Sequence, residues 1–438
     1  MTDRHAEFLA AQEAHRRGDR ERAKAGYAKL LLEDPNDPDA RHFLGLLYYQ
    51  EGDPARAIEE IRRSLETAPK NAAALNNLGN ILQQQQEWAE AVNVYQRAIE
   101  AAPRDPRPIC NLGSLIRRGN LKKSVALLER AVRIDPELGE AWHNLGVSAM
   151  LSGDSDRALE AFTRAQTWAV KEGASPVFYA ALLNGCGHEA AAIAMLEERL
   201  AHDPLDAEAK HLLNAAKGGG GDRAPAAYVQ RHFDSFARTF EGVLQNLAYA
   251  APELVAQAAR GCFGPLAAID ALDLGCGTGL GGRLLRPLAK RLVGVDLSPG
   301  MLAEARTAGG YDELIEAEID DYLTNAAGPE SFDLVISVDA LVYIGRLDAT
   351  IAGVAHVLRP GGAAVFTTER LLAAPARGPG YRLSRSGRYE HDSRYVRALA
   401  ERAGLAWRCC DPVVPRKEMG ADVAGDLIVI GKPTHPSA

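Results

Sequence analysis

The 438-residue chain reads as two unlike parts: an all-α solenoid of paired helices, then an α/β domain on a mostly parallel, seven-stranded sheet. Three observations predict this. Prolines recur with a period near 34 through the first half. From about residue 226 that period gives way to seven short apolar runs. The first of those runs ends on a glycine-rich turn, Gly275, Gly277 and Gly279, flanked by the acids Asp273 and Asp296.

Pro35, Pro69, Pro103, Pro136 and Pro204 close successive units, and Val170 stands where the period calls for one more proline. Twelve residues before each lies a small side chain: Ala23, Ala57, Ala91, Ser124 (or Val125), Ala158 and Ala192. Gly45, Gly79, Gly113 and Gly146 recur one half-unit earlier. Such a period marks stacked helical units. Proline ends the second helix of each unit because it lacks an N–H and clashes with the preceding turn. Small residues fit where two helices cross. The pattern resembles the tetratricopeptide repeat and covers residues 4–216 as about six units. The unit ending at Pro136 is one residue short between Gly113 and Gly119, which predicts a distorted first helix.

Asn-Leu-Gly recurs at Asn77, Asn111 and Asn144. Asparagine is a poor helix former, so its recurrence needs a reason. The resemblance implies that this position faces the groove of the array, where a primary amide can both donate to and accept from a peptide main chain. Bonds between helices of the array are the alternative. Residues 217–225 hold four consecutive glycines, the composition of a flexible tether.

After a lead helix with aromatics at Tyr228, Phe233, Phe236 and Phe240, strands are expected near 268–274, 291–296, 313–318, 332–338, 363–369, 405–411 and 425–431. Glycines at 275, 277 and 279 permit backbone conformations closed to other residues and close approach of a ligand. Asp296 lies where a carboxylate can accept from ribose hydroxyls. A dinucleotide fingerprint would need glycine where Leu280 stands, and Asp273 would repel a diphosphate. A cationic sulfonium nucleoside, S-adenosylmethionine, suits both acids.

Residues 226–433 resemble a class I S-adenosylmethionine-dependent methyltransferase, a Rossmann-like α/β fold. The matching segments are Asp273–Gly279, Val295–Leu302, Phe332–Ser337 and Leu358–Gly362. Repeats ahead of such a domain resemble the predicted TPR-repeat methyltransferases. The resemblance implies that Asp273 and the turn Gly275, Cys276, Gly277, Thr278 and Gly279 hold the methionine part. It implies that Asp296 and Leu297 serve the ribose, and that Met301 lies against the adenine, although ordinary core packing would suit Met301 as well. Glu318, beside Ile319, falls where most relatives carry the aspartate that meets the adenine amino group; Asp320 is the fallback. Ser337 ends the fourth strand at the same site. The lead helix is a candidate cap over the cofactor.

Methyl transfer displaces a neutral sulfide, so alignment is the main task and a base is needed only for some acceptors. Candidates at the mouth are Asp339 and Tyr343 after the fourth strand, Glu369, Tyr389 and His391, with His391 the natural general base. Histidines are dispersed and no metal set is expected. A net charge of −8 argues against nucleic acid as partner. No apolar run reaches the roughly 20 residues of a membrane span. Six scattered cysteines fit reduced thiols in a cytoplasmic protein. Three functions remain open: methylation of a protein or peptide held by the repeats, methylation of a small molecule with the repeats used for assembly, or a scaffold with an inactive cofactor domain.

Overall fold

The computed structural model describes residues 2–171, 177–245, 247–263, 268–372, 378–418 and 421–434. It forms two units, Met1–Ser175 and Pro176–Ala438.

The first unit is a stack of helix pairs: Thr2–Arg16 with Arg20–Glu33, Pro38–Gln50 with Pro54–Thr67, Ala72–Gln84 with Trp88–Ala101, Pro106–Leu115 with Leu121–Ile134, and Gly139–Leu151 with Ser155–Lys171. Asp37, Asp53, Asn71, Asp105 and Asn120 cap helix N-termini by accepting from backbone N–H groups. Second helices stop at Glu33, Thr67, Ala101 and Ile134, just before the periodic prolines. Ala23, Ala57, Ala91, Ser124 and Ala158 are fully buried at the crossings. A Cβ on Gly79 would stand 2.5 Å from the Tyr95 ring, which explains the recurring glycine. In the short unit the first helix ends in a tighter 3₁₀ turn, Ile116–Arg118, as the missing residue predicts.

The second unit opens with the helices Val177–Gly185, Glu189–His202 and Ala207–Ala216. The sixth helix pair therefore groups with the α/β domain, whereas the sequence reading divided the chain after 216. Asn184 Nδ2 donates to the Arg385 carbonyl at 2.7 Å, and a His211 Nε2 bond meets the Gly387 carbonyl at 2.7 Å. Ala215 packs with Leu383 and Tyr389. The glycine run is held at both ends: Asn214 Nδ2 donates to the Gly220 carbonyl, and Gly345 and Arg346 N–H both donate to the Asp222 carbonyl at 2.8 Å. It is thus a largely exposed connection pinned by hydrogen bonds at both ends, where its composition suggested a free tether.

Eleven strands follow among the described residues: β1 Ile269–Leu274, β2 Ala289–Asp296, β3 Glu313–Glu316, β4 Phe332–Ser337, β5 Leu358–Arg370, β6 Tyr381–Leu383, β7 Tyr389–His391, β8 Ala406–Val413, β9 Lys417–Glu418, β10 Ala421–Asp422 and β11 Gly425–Gly431. The main sheet runs β3-β2-β1-β4-β5-β11-β8, with β11 antiparallel to both neighbours and the first five strands parallel. All seven expected strands are present. The small β6–β7 hairpin, which pairs with the end of β5, was not foreseen.

Side chains alternate across the sheet. Leu272, Leu274 and Val335 join one core with Ile351 and Val354, while Ala271, Leu334 and Ile336 join another with Val255, Ala259 and Leu285. Both faces are covered, as parallel strands require. Strand order reverses between β1 and β4, which opens a crevice at their carboxyl ends.

Candidate active site

That crevice holds a cavity of about 280 Å³. Each wall comes from a different strand end. Gly275 and Gly277 follow β1, Asp296 ends β2 and Leu297 follows it, Ala317, Glu318 and Ile319 follow β3, and Val338, Asp339 and Ala340 follow β4. Met301 lines the cavity from the helix Pro299–Ala308, and Tyr343 from the turn after β4.

The glycine turn is built by sterics. Gly275, Gly277 and Gly279 have φ of 72°, 56° and 90°, the left-handed region that side chains disfavour. Asp296 braces the turn, accepting from the Gly277 N–H and the Ser298 N–H at 2.8 Å each. Burial raises its pKa against those bonds.

Several expected residues support the turn without lining the cavity. Asp273 is buried beneath it and accepts the Tyr311 hydroxyl at 2.7 Å. Burial pushes its carboxyl up to about 7, opposed by the Tyr311 O–H and reinforced by Asp296. Its Oδ1 has no partner among the described residues. Cys276 is buried, and Thr278 Oγ1 donates to Glu241 at 3.0 Å. Gly279 caps the helix Leu280–Leu285, and Ser337 Oγ donates to the Leu274 carbonyl at 2.9 Å, tying β4 to β1. Asp320 is also turned away: it accepts from Thr350 Oγ1 at 2.6 Å and from Arg223, which also holds Glu318. Glu318, not the fallback Asp320, is the acid on the cavity wall.

Of the reactive candidates, His391 is misplaced. It is fully buried, it does not line the cavity, and its Nε2 faces the carbonyls of Ile344 and Gly345 at 2.9 and 3.1 Å. That nitrogen must donate, and burial lowers the pKa to about 4, so His391 cannot meet an acceptor as a base. Asp339 lines the cavity at φ 56° but is held by two bonds from Arg416, at 2.5 and 2.6 Å. Tyr343 packs edge-on against Phe233, centroids 5.5 Å apart, and burial raises its pKa. Glu369 and Tyr389 are buried outside the cavity.

The lead helix Ala226–Phe236 does form a wall, through Val229, His232, Phe233 and Phe236. Its Asp234 accepts from Ser298 Oγ at 2.6 Å and Gly300 N–H at 2.9 Å, which fastens the helix over β2's end. Tyr228 instead packs on His211, ring centroids 5.0 Å apart.

A buried ion cluster at the far side escaped the sequence reading. Arg416 reaches Asp339, Glu369 and Glu418, while Arg388 reaches Glu369 and Glu418. Burial pushes the Glu418 carboxyl up, but the two guanidiniums outweigh it and hold it below the usual range. The only available signal was the segment 387–391. Period two along β7 buries Tyr389 and His391, and Arg388, just ahead of the strand, lines the cavity.

In the repeats the three asparagine amides are engaged within the array. Asn77 Nδ2 meets His42 Nε2 at 3.0 Å, Asn111 Nδ2 donates to Asn76 and Asn80 at 2.9 Å, and Asn144 accepts from Arg117 at 2.6 Å. The geometry is that of bonds between helices, the alternative to an open peptide ladder.

Comparison with known proteins agrees with this construction. A profile described as a methyltransferase domain matches residues 272–366, and one described as a tetratricopeptide repeat matches 8–72, 44–106 and 114–175. The chain is 34% identical over 140 residues to human methyltransferase-like protein 27, covering 31% of this chain and 56% of that one. It is 36% identical over 98 residues to a malonyl-(acyl-carrier protein) O-methyltransferase of Serratia marcescens, covering 22% and 37%. The chain thus spans about half or less of the length of these curated relatives. A solved S-adenosylmethionine-dependent methyltransferase from Mesorhizobium loti is 25% identical, covering 40% of this chain and 96% of that one with a TM-score of 0.33. The methyltransferase profile falls on the segment that carries β1 to β5, and the carboxyl ends of the first four of these strands line the cavity. Tetratricopeptide repeats precede it in the same chain. No described helix is long and apolar enough to cross a membrane.

Proposed function

We propose that this chain methylates an acceptor delivered by a protein partner of its repeats. One observation carries the reading: a single cavity touches the glycine turn, Asp296, Met301 and Glu318, the groups suited to the successive parts of S-adenosylmethionine. In this reading Asp296 accepts the ribose hydroxyls, Met301 lies on the adenine, and Glu318 with the Ile319 N–H meets its edge. The turn from Gly275 to Gly279 cradles the methionine part above Asp273. The cofactor supplies an electrophilic methyl group whose departing sulfur keeps the bonding electron pair. The chain's own work is alignment and exclusion of water by Phe233, Phe236 and Tyr343. Proton removal is a minor duty: Asp339 is engaged by Arg416, and burial lowers the His232 pKa to about 4.

The test is calorimetry with S-adenosylmethionine, then incubation with labelled cofactor and a cell lysate. Asp296→Ala should weaken cofactor binding by about 1–3 kcal/mol, the cost of charge-assisted bonds left unmade. Label in a protein band supports the reading; label confined to small metabolites favours the second one, a small-molecule acceptor with the repeats used for assembly. That alternative draws support from the engaged amides of Asn77, Asn111 and Asn144 and from the apolar wall of Phe240, Leu244 and Leu247.

Asp273 adds a pH signature. With its carboxyl near 7, it carries a proton below that pH. A cationic ligand favours the carboxylate, so binding between about pH 6 and 7 should release a proton, and affinity should rise with pH until it levels off above 7. Calorimetry in buffers of different ionisation enthalpy checks this; buffer-independent heat would remove Asp273 from the cofactor's surroundings.

A further inference from the structure

Arg223 precedes the lead helix and belongs to none of the segments that resemble a methyltransferase. Its backbone bridges Ile344, next to an Ala224 N–H bond to the Tyr343 carbonyl at 2.9 Å and the paired bonds of Asp222 to Gly345 and Arg346. The Tyr381 hydroxyl adds a bond to Asp222 at 2.5 Å. The main chain is therefore fixed, and the guanidinium reaches from it to two acids: one nitrogen donates to Glu318 and the other to Asp320. Asp320 is itself anchored from behind by the buried Thr350 hydroxyl. The result is a relay, Thr350 to Asp320 to Arg223 to Glu318, whose last member, unlike Asp320, lines the cavity beside Ile319.

Two physical consequences follow. A glutamate has one more rotatable bond than an aspartate, so an unanchored Glu318 would lose rotamer freedom on meeting a ligand. Glu318 and Asp320 are also like charges close enough to share one guanidinium, which bridges them and offsets their mutual repulsion. Arg223 takes Glu318 Oε1 and so restrains the carboxylate of a residue that lines the cavity wall.

We propose that Arg223 is a positioning residue that sets Glu318 to accept a hydrogen bond from the 6-amino group of the cofactor's adenine, and so selects adenine over other purines. This rests on the cofactor reading above. The strap from Asp222 to Ala224 thereby becomes part of the nucleobase site, although it lies ahead of the domain that carries the glycine turn.

The experiment is calorimetry of the full chain with S-adenosylhomocysteine and with S-inosylhomocysteine, in which a 6-oxo group replaces the amine. The natural chain should prefer the adenine compound. Arg223→Ala should lose roughly tenfold in affinity for it, the scale of one charge-assisted bond loosened, with little change for the inosine compound. Arg223→Lys should recover part of the loss, and Arg223→Ala placed on Glu318→Gln should cost nothing more. Equal losses for both ligands would make Arg223 a structural brace and overturn the proposal, as would no loss at all. If the natural chain fails to discriminate between the two ligands, the adenine role of Glu318 falls and this proposal with it. If it binds neither, the cofactor reading itself falls.

Discussion

Valine in place of Gly277 is expected to abolish measurable S-adenosylmethionine binding while the chain stays folded. The residue sits at φ 56°, and a Cβ built there meets no atom within 4 Å. It also lines the cavity, so the branched side chain would stand in the space a ligand needs. Holding a β-branched residue in the left-handed region costs about 1–3 kcal/mol, which a unit of this size survives. Gly275 is the instructive contrast. Its Cβ would fall directly on the Ala340 Cβ, so valine there should destabilise the unit before any ligand is added. Thermal unfolding and calorimetry on the two variants separate the effects. Normal binding by Gly277→Val would mean that the cofactor lies elsewhere.

The second large effect is expected at Arg416, which is almost fully buried and reaches three carboxylates. Methionine in its place keeps much of the apolar stem but leaves Asp339, Glu369 and Glu418 with Arg388 as their remaining cation in the cluster. Removing one partner from a buried ion network typically costs about 3–5 kcal/mol, because the other charges stay desolvated and uncompensated. The deficit should shrink as pH falls, since protonation discharges the excess acid. A melting temperature within a degree or two of the natural chain, at pH 7, would show that the cluster is wetter or looser than its geometry implies.

The legibility of this chain in its sequence was uneven for physical reasons. Helix pairs and strands were readable because Ala57, Gly79 or Leu272 each obey a local period imposed by packing. The wall from Gly275 to Met301 was readable because one turn and the strand beside it supply it, close together in the chain. Glu318, Asp339 and Tyr343 were readable as wall residues too, but the ion pairs that hold that side were not. Arg416 meets Asp339 across 77 residues and Arg223 meets Glu318 across 95, and no spacing rule links such positions. His391 misled because its ordinary pKa suggested a base, whereas its place on β7 buries it against two carbonyls. The glycine run misled in the opposite sense: composition announced mobility, but Asp222 and Asn214 at its ends are both hydrogen-bonded.

The docking of Val177–Ala216 onto the β6–β7 hairpin changes where this chain can be recombined. An exchange of one repeat array for another, by evolution or by design, would look natural at the glycines. A crossover there would strip His211, Asn184 and Leu212 from the surface they cover at Arg385 and Gly387. The serviceable seam lies ahead of Val177, so the upstream repeats form a unit of their own, while the sixth pair belongs with the α/β domain and must travel with it.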